Sequence, residues 1–203
     1  EKARLVIDNK LRAVGYIVQD MSEYNPAASL GVVVREYPTN NGEADYVIFI
    51  DKQPVGVIEA KEHNKGQKLT TVADQSLGYI KNGLKYCVDS HHLRFTYEAT
   101  DILTHFCDLQ DPYPRTREVF TFHKPETLYQ WLKDGRTLRY HLAHDFPNFD
   151  STGFRNCQID AIINLERSFA ENRPRALIQM ATGAGKTFTA ITSVYRLLKF
   201  AKA

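Results

Sequence analysis

The chain has 203 residues, of which 43% are hydrophobic and 25% charged, which suits one or two folded domains and is too apolar for a disordered segment. A net charge of +2 gives no bulk attraction to nucleic acid, so any such binding has to come from local patches. No run of about 18 apolar residues occurs, which argues against a membrane-spanning helix, and Glu1-Lys2-Ala3-Arg4 has neither an initiator methionine nor an apolar leader segment.

The first 14 residues form an amphipathic pattern, with Ala3, Ile7, Leu11 and Val14 on one stripe and Gly15 as its stop. Three strand-like runs follow at 30–37, 46–50 and 55–60, the last two joined by the turn Asp51-Lys52-Gln53-Pro54 and so expected to form a hairpin. A polar stretch leads to a second helix over 69–84, then to short strands near 93–99 and 117–122. Pro125 opens a further helix that Gly135 closes. Around 145–153 the periodicity breaks, which places a domain boundary near residue 147, with one unit over 1–147 and another over 148–203. Beyond it the pattern predicts a helix over 155–171, a strand over 176–180, a glycine-rich turn and a helix from Lys186 onward. Cys87, Cys107 and Cys157 are odd in number and widely spaced, against a disulfide framework or a zinc site, so a reducing, cytoplasmic setting and no membrane partner are expected.

The turn reads Ala181-Thr182-Gly183-Ala184-Gly185-Lys186-Thr187. Glycines let backbone N–H groups face phosphate oxygens, and the following helix adds its positive N-terminus. In that setting Thr182, Gly183, Ala184 and Gly185 would cradle the phosphates of ATP. Lys186 would neutralise them, and the Thr187 hydroxyl would join an Mg²⁺ shell. Gln158, one helix and one strand upstream, carries an amide able to donate to and accept from an adenine edge. Met180 stands at the first position of the general phosphate-loop pattern, which is usually glycine. With the segment Phe154-Arg155-Asn156-Cys157-Gln158, the arrangement resembles the start of a superfamily 2 helicase lobe, in which that departure is tolerated. No second acidic strand follows, so the chain by itself is not expected to hydrolyse ATP.

Asp45, Glu59 and Lys61 form a second constellation. Glu59 and Lys61 lie two apart on a strand and share a face, while the hairpin returns Asp45 to the same end. Asp45 and Glu59 would hold a hard divalent cation through oxygen, with the Ala60 carbonyl as a further ligand, and Lys61 would orient water or offset charge on a phosphodiester. The geometry imposes a condition. If Ile50 pairs with Val55 across a four-residue turn, Asp45 falls opposite Ala60 and on the wrong face, so a three- or five-residue connection, or a bulge near Asp45, is predicted.

This group resembles the PD-(D/E)xK nuclease motif without its leading proline. Gln75-Ser76-Leu77-Gly78-Tyr79 on the next helix is similar to the QxxxY signature of RecB-like members, with Gln75 and Tyr79 on one face. Together with Gly31-Val32-Val33-Val34-Arg35-Glu36-Tyr37, the chain resembles the N-terminal part of the motor subunit of type I restriction enzymes. The resemblance implies an α/β fold: a mixed nuclease-like sheet flanked by helices, then the first β-α unit of a RecA-like lobe. It also implies Mg²⁺-dependent cleavage of double-stranded DNA, ATP-driven translocation, and modification and specificity subunits as partners. The alternative is a helicase fragment whose first domain only docks proteins or DNA. An acidic residue on the first helix often stands near the metal in that family. Asp8 is the candidate, with Glu23 behind it, although a solvated position on the helix is the expectation for Asp8.

Between Pro112 and His144, Arg115, Arg117, Lys124, Lys133, Arg136 and Arg139 interleave with Tyr113, Tyr129, Trp131 and Tyr140. This stretch reads either as a grip on DNA phosphates or as a mixed solvated face over an aromatic core.

Overall fold

In the computed structural model, residues 2–40, 42–61, 84–86, 93–173 and 175–202 are described. The chain divides into two compact units, Glu1–Gly135 and Arg136–Ala203, a division that falls twelve residues before the boundary expected from the loss of periodicity.

In the first unit, helix α1 (Lys2–Ala13) buries Ile7 and Leu11, one turn apart, and Gly15 follows it at φ 106°, a left-handed position that glycine occupies without strain. Seven strands build one sheet whose spatial order is their order in the chain: β1 (Ile17–Gln19), β2 (Gly31–Thr39), β3 (Gly42–Ile50), β4 (Gln53–Ala60), β5 (Phe95–Ala99), β6 (Thr104–Asp108) and β7 (Arg117–Val119). The pairs β1–β2 and β4–β5 are parallel and the others antiparallel. The helix expected over 69–84 lies between the parallel strands β4 and β5, almost entirely outside the described residues; of it, Leu84 is described and bridges to Thr39.

Both faces of the central strands are covered, which is why the valine run in β2 is continuous rather than alternating with polar residues. Val33, Tyr46, Ile48, Ile58, Phe95 and Tyr97 pack on one face with α1 and with Leu128 of α2 (Pro125–Asp134), while Val32, Val34, Val47, Phe49 and Val57 pack on the other with Leu84 and Leu93. Helix α2 has Pro125 in its first turn and Gly135 at its C-cap with φ 68°, as the sequence predicts. At Gly56, an added Cβ would lie 2.4 Å from the Phe95 carbonyl oxygen, so β4 and β5 approach more closely there than any side chain permits.

The second unit contains α3 (Leu138–His144), α4 (Asn156–Ala170) and α5 (Lys186–Arg196), the last continuing as one π-helical turn over Leu197–Ala201. Buried Arg196 ties this unit together, pairing with Glu166 and donating to the Pro147 carbonyl at 2.9 Å, with its guanidinium against Phe146, Phe149 and Phe200. The strand expected over 176–180 does not form. Among the described residues no other strand lies in this unit, so the segment has no ladder to join, and Leu177 is 94% exposed.

Candidate functional site

The β3–β4 hairpin positions the acidic-lysine group by a route that differs from the expected one. The turn has two residues, Asp51 and Lys52, at φ 47° and 71°, so Ile50 pairs with Gln53 rather than with Val55. Two positive φ values suit the twist of a tight hairpin. Carried on without interruption, that register would oppose Asp45 to Ile58, on the wrong face. A bulge intervenes at Ile48/Phe49, where Phe49 pairs with Pro54 and Ile48 with Gly56, leaving Val55 over. The pairing then runs Val47 with Val57 and ends at Tyr46 with Ile58, beyond which Asp45 reaches β4 through its carboxylate on the Ala60 amide. Neither expected distortion occurs as such: the turn is two residues long, and the bulge lies next to it rather than near Asp45.

Glu59 and Lys61 meet, with Lys61 Nζ 3.5 Å from Glu59 Oε2. Asp45 is anchored at the same strand end through different partners. Its Oδ2 accepts the Ala60 N–H at 2.9 Å, and its Oδ1 accepts Arg4 of α1 at 2.8 Å, while the same guanidinium binds Glu36. These two carboxylates, Glu36 first, raise the Arg4 pKa above its ordinary value. The structure thus brings Glu59 to Lys61 and brings Asp45 to the backbone between them. Gln75 and Tyr79 lie outside the described residues.

Asp8 corrects the expectation of a solvated charge. It is 5% exposed, accepts the Tyr46 hydroxyl at 3.0 Å and pairs with Arg35 at 3.5 Å, so the α1 face that packs on the sheet is wider than its apolar stripe. Burial, followed by the Asp8 charge, pushes the Tyr46 phenol above its ordinary range. Glu23 lies on a short 3₁₀ turn, Met21–Glu23.

One residue at this end was not singled out in the sequence. Glu98 of β5 pairs in parallel register with Glu59 and across β6 with His105, and it is 5% exposed. Its Oε2 has no hydrogen-bond partner among the described residues. Burial raises the Glu98 pKa. Lys61 and His105 oppose that rise, and Glu59 adds to it. The available signal was an acid inside the otherwise apolar run Phe95-Thr96-Tyr97-Glu98-Ala99. Among the described residues, no three His, Cys, Asp or Glu side chains converge as a metal-binding group.

In the second unit the phosphate-loop sequence has the bends its glycines permit, with Gly183 at φ 77° and Gly185 at φ 86° as the N-cap of α5. Gln158 is 5% exposed and braces this loop. Its Oε1 accepts the Arg155 N–H at 3.0 Å and its Nε2 donates to the Ala184 carbonyl at 3.0 Å, so both ends of the amide read as an adenine contact are engaged within the unit. An added Cβ on Gly185 would fall 2.2 Å from that Nε2. Arg155 donates to the Gly183 carbonyl at 2.8 Å, and Lys186 Nζ to the Ala181 carbonyl at 3.1 Å. Thr182 and Thr187 are exposed.

Of the basic residues, Arg117 lies over Phe106 and Lys133 over Tyr129, so part of that charge covers aromatic rings.

The stretches that carry the strand end and the glycine loop fall within the reach of two family models of restriction enzymes. The family model described as type I restriction enzyme EcoKI endonuclease subunit, second domain, matches residues 21–102, and that described as type III restriction enzyme, res subunit, matches residues 151–203. The type I restriction enzyme EcoKI endonuclease subunit of Escherichia coli (strain K12) is 26% identical over 255 residues, taking in 98% of this chain and 21% of that protein. The chain therefore spans about a fifth of that relative's length. Over these stretches the chain is similar to endonuclease and res subunits of restriction enzymes. A solved fragment ascribed to an HsdR subunit of a type I restriction enzyme from Vibrio vulnificus YJ016 aligns over 98% of this chain and 37% of its own, with 21% identity and a TM-score of 0.43.

Proposed function

We propose that the first unit is an Mg²⁺-dependent endonuclease domain for double-stranded DNA and that the second is the start of the ATP-driven motor that translocates it, in a complex with modification and specificity subunits. The observation that carries this reading is the strand end at which Glu59 pairs with Lys61 while Asp45 is held on the intervening amide. The donors fit a hard cation: Asp45, Glu59 and the Ala60 carbonyl offer oxygen only, and the neighbouring Glu98 leaves a buried oxygen unpartnered among the described residues. Bound there, Mg²⁺ would polarise the scissile phosphodiester and lower the pKa of a coordinated water. The chain's own residues do the rest. Lys61 stands where it can hold that water or meet charge on the phosphate, and Arg4 restrains Asp45. Gln75 and Tyr79 are proposed as supports on the basis of their signature.

For the second unit, Thr182 to Thr187 would bind the phosphates and Mg²⁺ of ATP. Gln158 sets the loop's shape and is the residue proposed for the adenine edge.

The test is Lys61→Ala in the full-length subunit assembled with its partners. DNA cleavage is expected to fall to background while ATP turnover and translocation continue; undiminished cutting overturns the assignment. One observation favours a second reading, a non-catalytic docking or DNA-binding module: both oxygens of Asp45 already have protein partners. Under that reading the same variant cuts normally.

A further inference from the structure

We infer that Glu98 is a further residue of the cation site, accepting with its buried Oε2 a hydrogen bond from a water in the cation's coordination shell. This rests on the nuclease reading of Glu59 and Lys61 and adds to it a residue that neither the motif nor the family signature contains.

Three observations converge. Parallel register sets Glu98 beside Glu59, so both side chains leave the same face of the sheet from adjacent strands whose backbones are spaced about 5 Å. The lack of a side chain at Gly56 lets β4 and β5 approach closely three residues before Glu59. Finally, Glu98 is 95% buried by its 5% exposure, yet its Oε2 lacks a partner among the described residues, a costly arrangement for a carboxylate unless something polar completes it. Lys61 and His105 are the cationic or titratable neighbours whose charge bears on Glu98, and Glu59 the anionic one. No three His, Cys, Asp or Glu side chains converge among the described residues, so Glu98 is assigned to the outer shell of a cation that keeps several waters, as Mg²⁺ does. Those waters need acceptors, and Glu98 Oε2 is one.

The experiment titrates Mn²⁺ into the 203-residue chain, following binding by calorimetry and folding by thermal melting. Wild type is expected to bind Mn²⁺ and Glu59→Gln to lose it. Glu98→Gln should raise Kd by about tenfold or more, the scale typical of outer-shell partners. Glu98→Asp, which keeps the charge but withdraws the oxygen, should also weaken binding. Wild-type affinity in Glu98→Asp overturns the water-holding role, whatever Glu98→Gln does. Should a variant not fold, anomalous scattering from Mn²⁺-soaked wild-type crystals decides: a cation roughly 4 Å from the Glu98 carboxylate supports the proposal, and one beyond roughly 8 Å overturns it. If wild type binds no Mn²⁺, or Glu59→Gln binds it unchanged, the underlying site reading fails instead, and this proposal with it.

Discussion

Asp8 shows how much a single buried acid can organise. It receives the Tyr46 hydroxyl from β3 and the guanidinium of Arg35 from β2, so α1 is fastened to the two strands that lead to Asp45. Among the described residues, Asp8→Ala would leave the Tyr46 hydroxyl only the Arg4 carbonyl at 3.4 Å and leave Arg35 only Asp20 as an ion partner, and is expected to cost roughly 2 kcal/mol by urea unfolding. A loss under about 0.5 kcal/mol would show that water replaces the carboxylate there. Neither Asp8 nor Glu98 was legible as a buried group in the sequence. Asp8 sits one residue past Ile7, at the margin of the apolar stripe, and Glu98 gains its neighbours only when β5 pairs with a strand far upstream. Glu59 and Lys61 were legible because residues two apart on a strand must share a face, a rule of local geometry that needs no tertiary knowledge.

The hairpin carries the same lesson at the scale of the element. Alternation identified both strands and the need for an odd residue somewhere between them, but the turn was misjudged by two residues because Gln53 and Pro54 read as turn formers. Replacing Asp51-Lys52 by Asn-Gly, residues at ease with two positive φ angles, is expected to stabilise the first unit by about 1 kcal/mol, measured as a rise in urea midpoint. Gly56→Ala should do the reverse. Its methyl meets a backbone carbonyl rather than a movable side chain, and a loss of about 2 kcal/mol is expected.

The packing of β5, β6 and α2 has its own pH dependence. His123 sits among Tyr97, Phe106 and Trp131, its Nδ1 2.7 Å from the Tyr97 hydroxyl, and burial, helped by Arg117, pulls its pKa down to about 4. The unfolded chain's imidazole titrates near 6.5, so between those values the unfolded state binds more protons and acid favours it. Stability should fall by roughly 2 kcal/mol from pH 7 to pH 5 on this account, and His123→Phe should remove that part of the slope in urea titrations at the two pH values.

At the scale of the whole molecule, the two units were foreseeable from the change in pattern, yet the division falls at Gly135, because Gly135 ends α2 and Thr137 caps a short helix that the sequence left unassigned. The strand expected over 176–180 is absent, because a parallel strand exists only by virtue of neighbours and none is described in that unit. The glycine loop needs no such neighbours, since Gln158 and Arg155 hold it from α4's first turn. In the full-length subunit, Lys186→Ala is expected to reduce ATP turnover to background while Mn²⁺ binding at the first unit persists; retained turnover would remove the loop from the motor.

The tether from Arg4 to Asp45 has a practical corollary. Arg4 belongs to the opening turn of α1, so a deletion that removes that turn would release the carboxylate it restrains. Cation titrations on a variant lacking that turn would then report on a loosened Asp45 rather than on the carboxylate as α1 holds it.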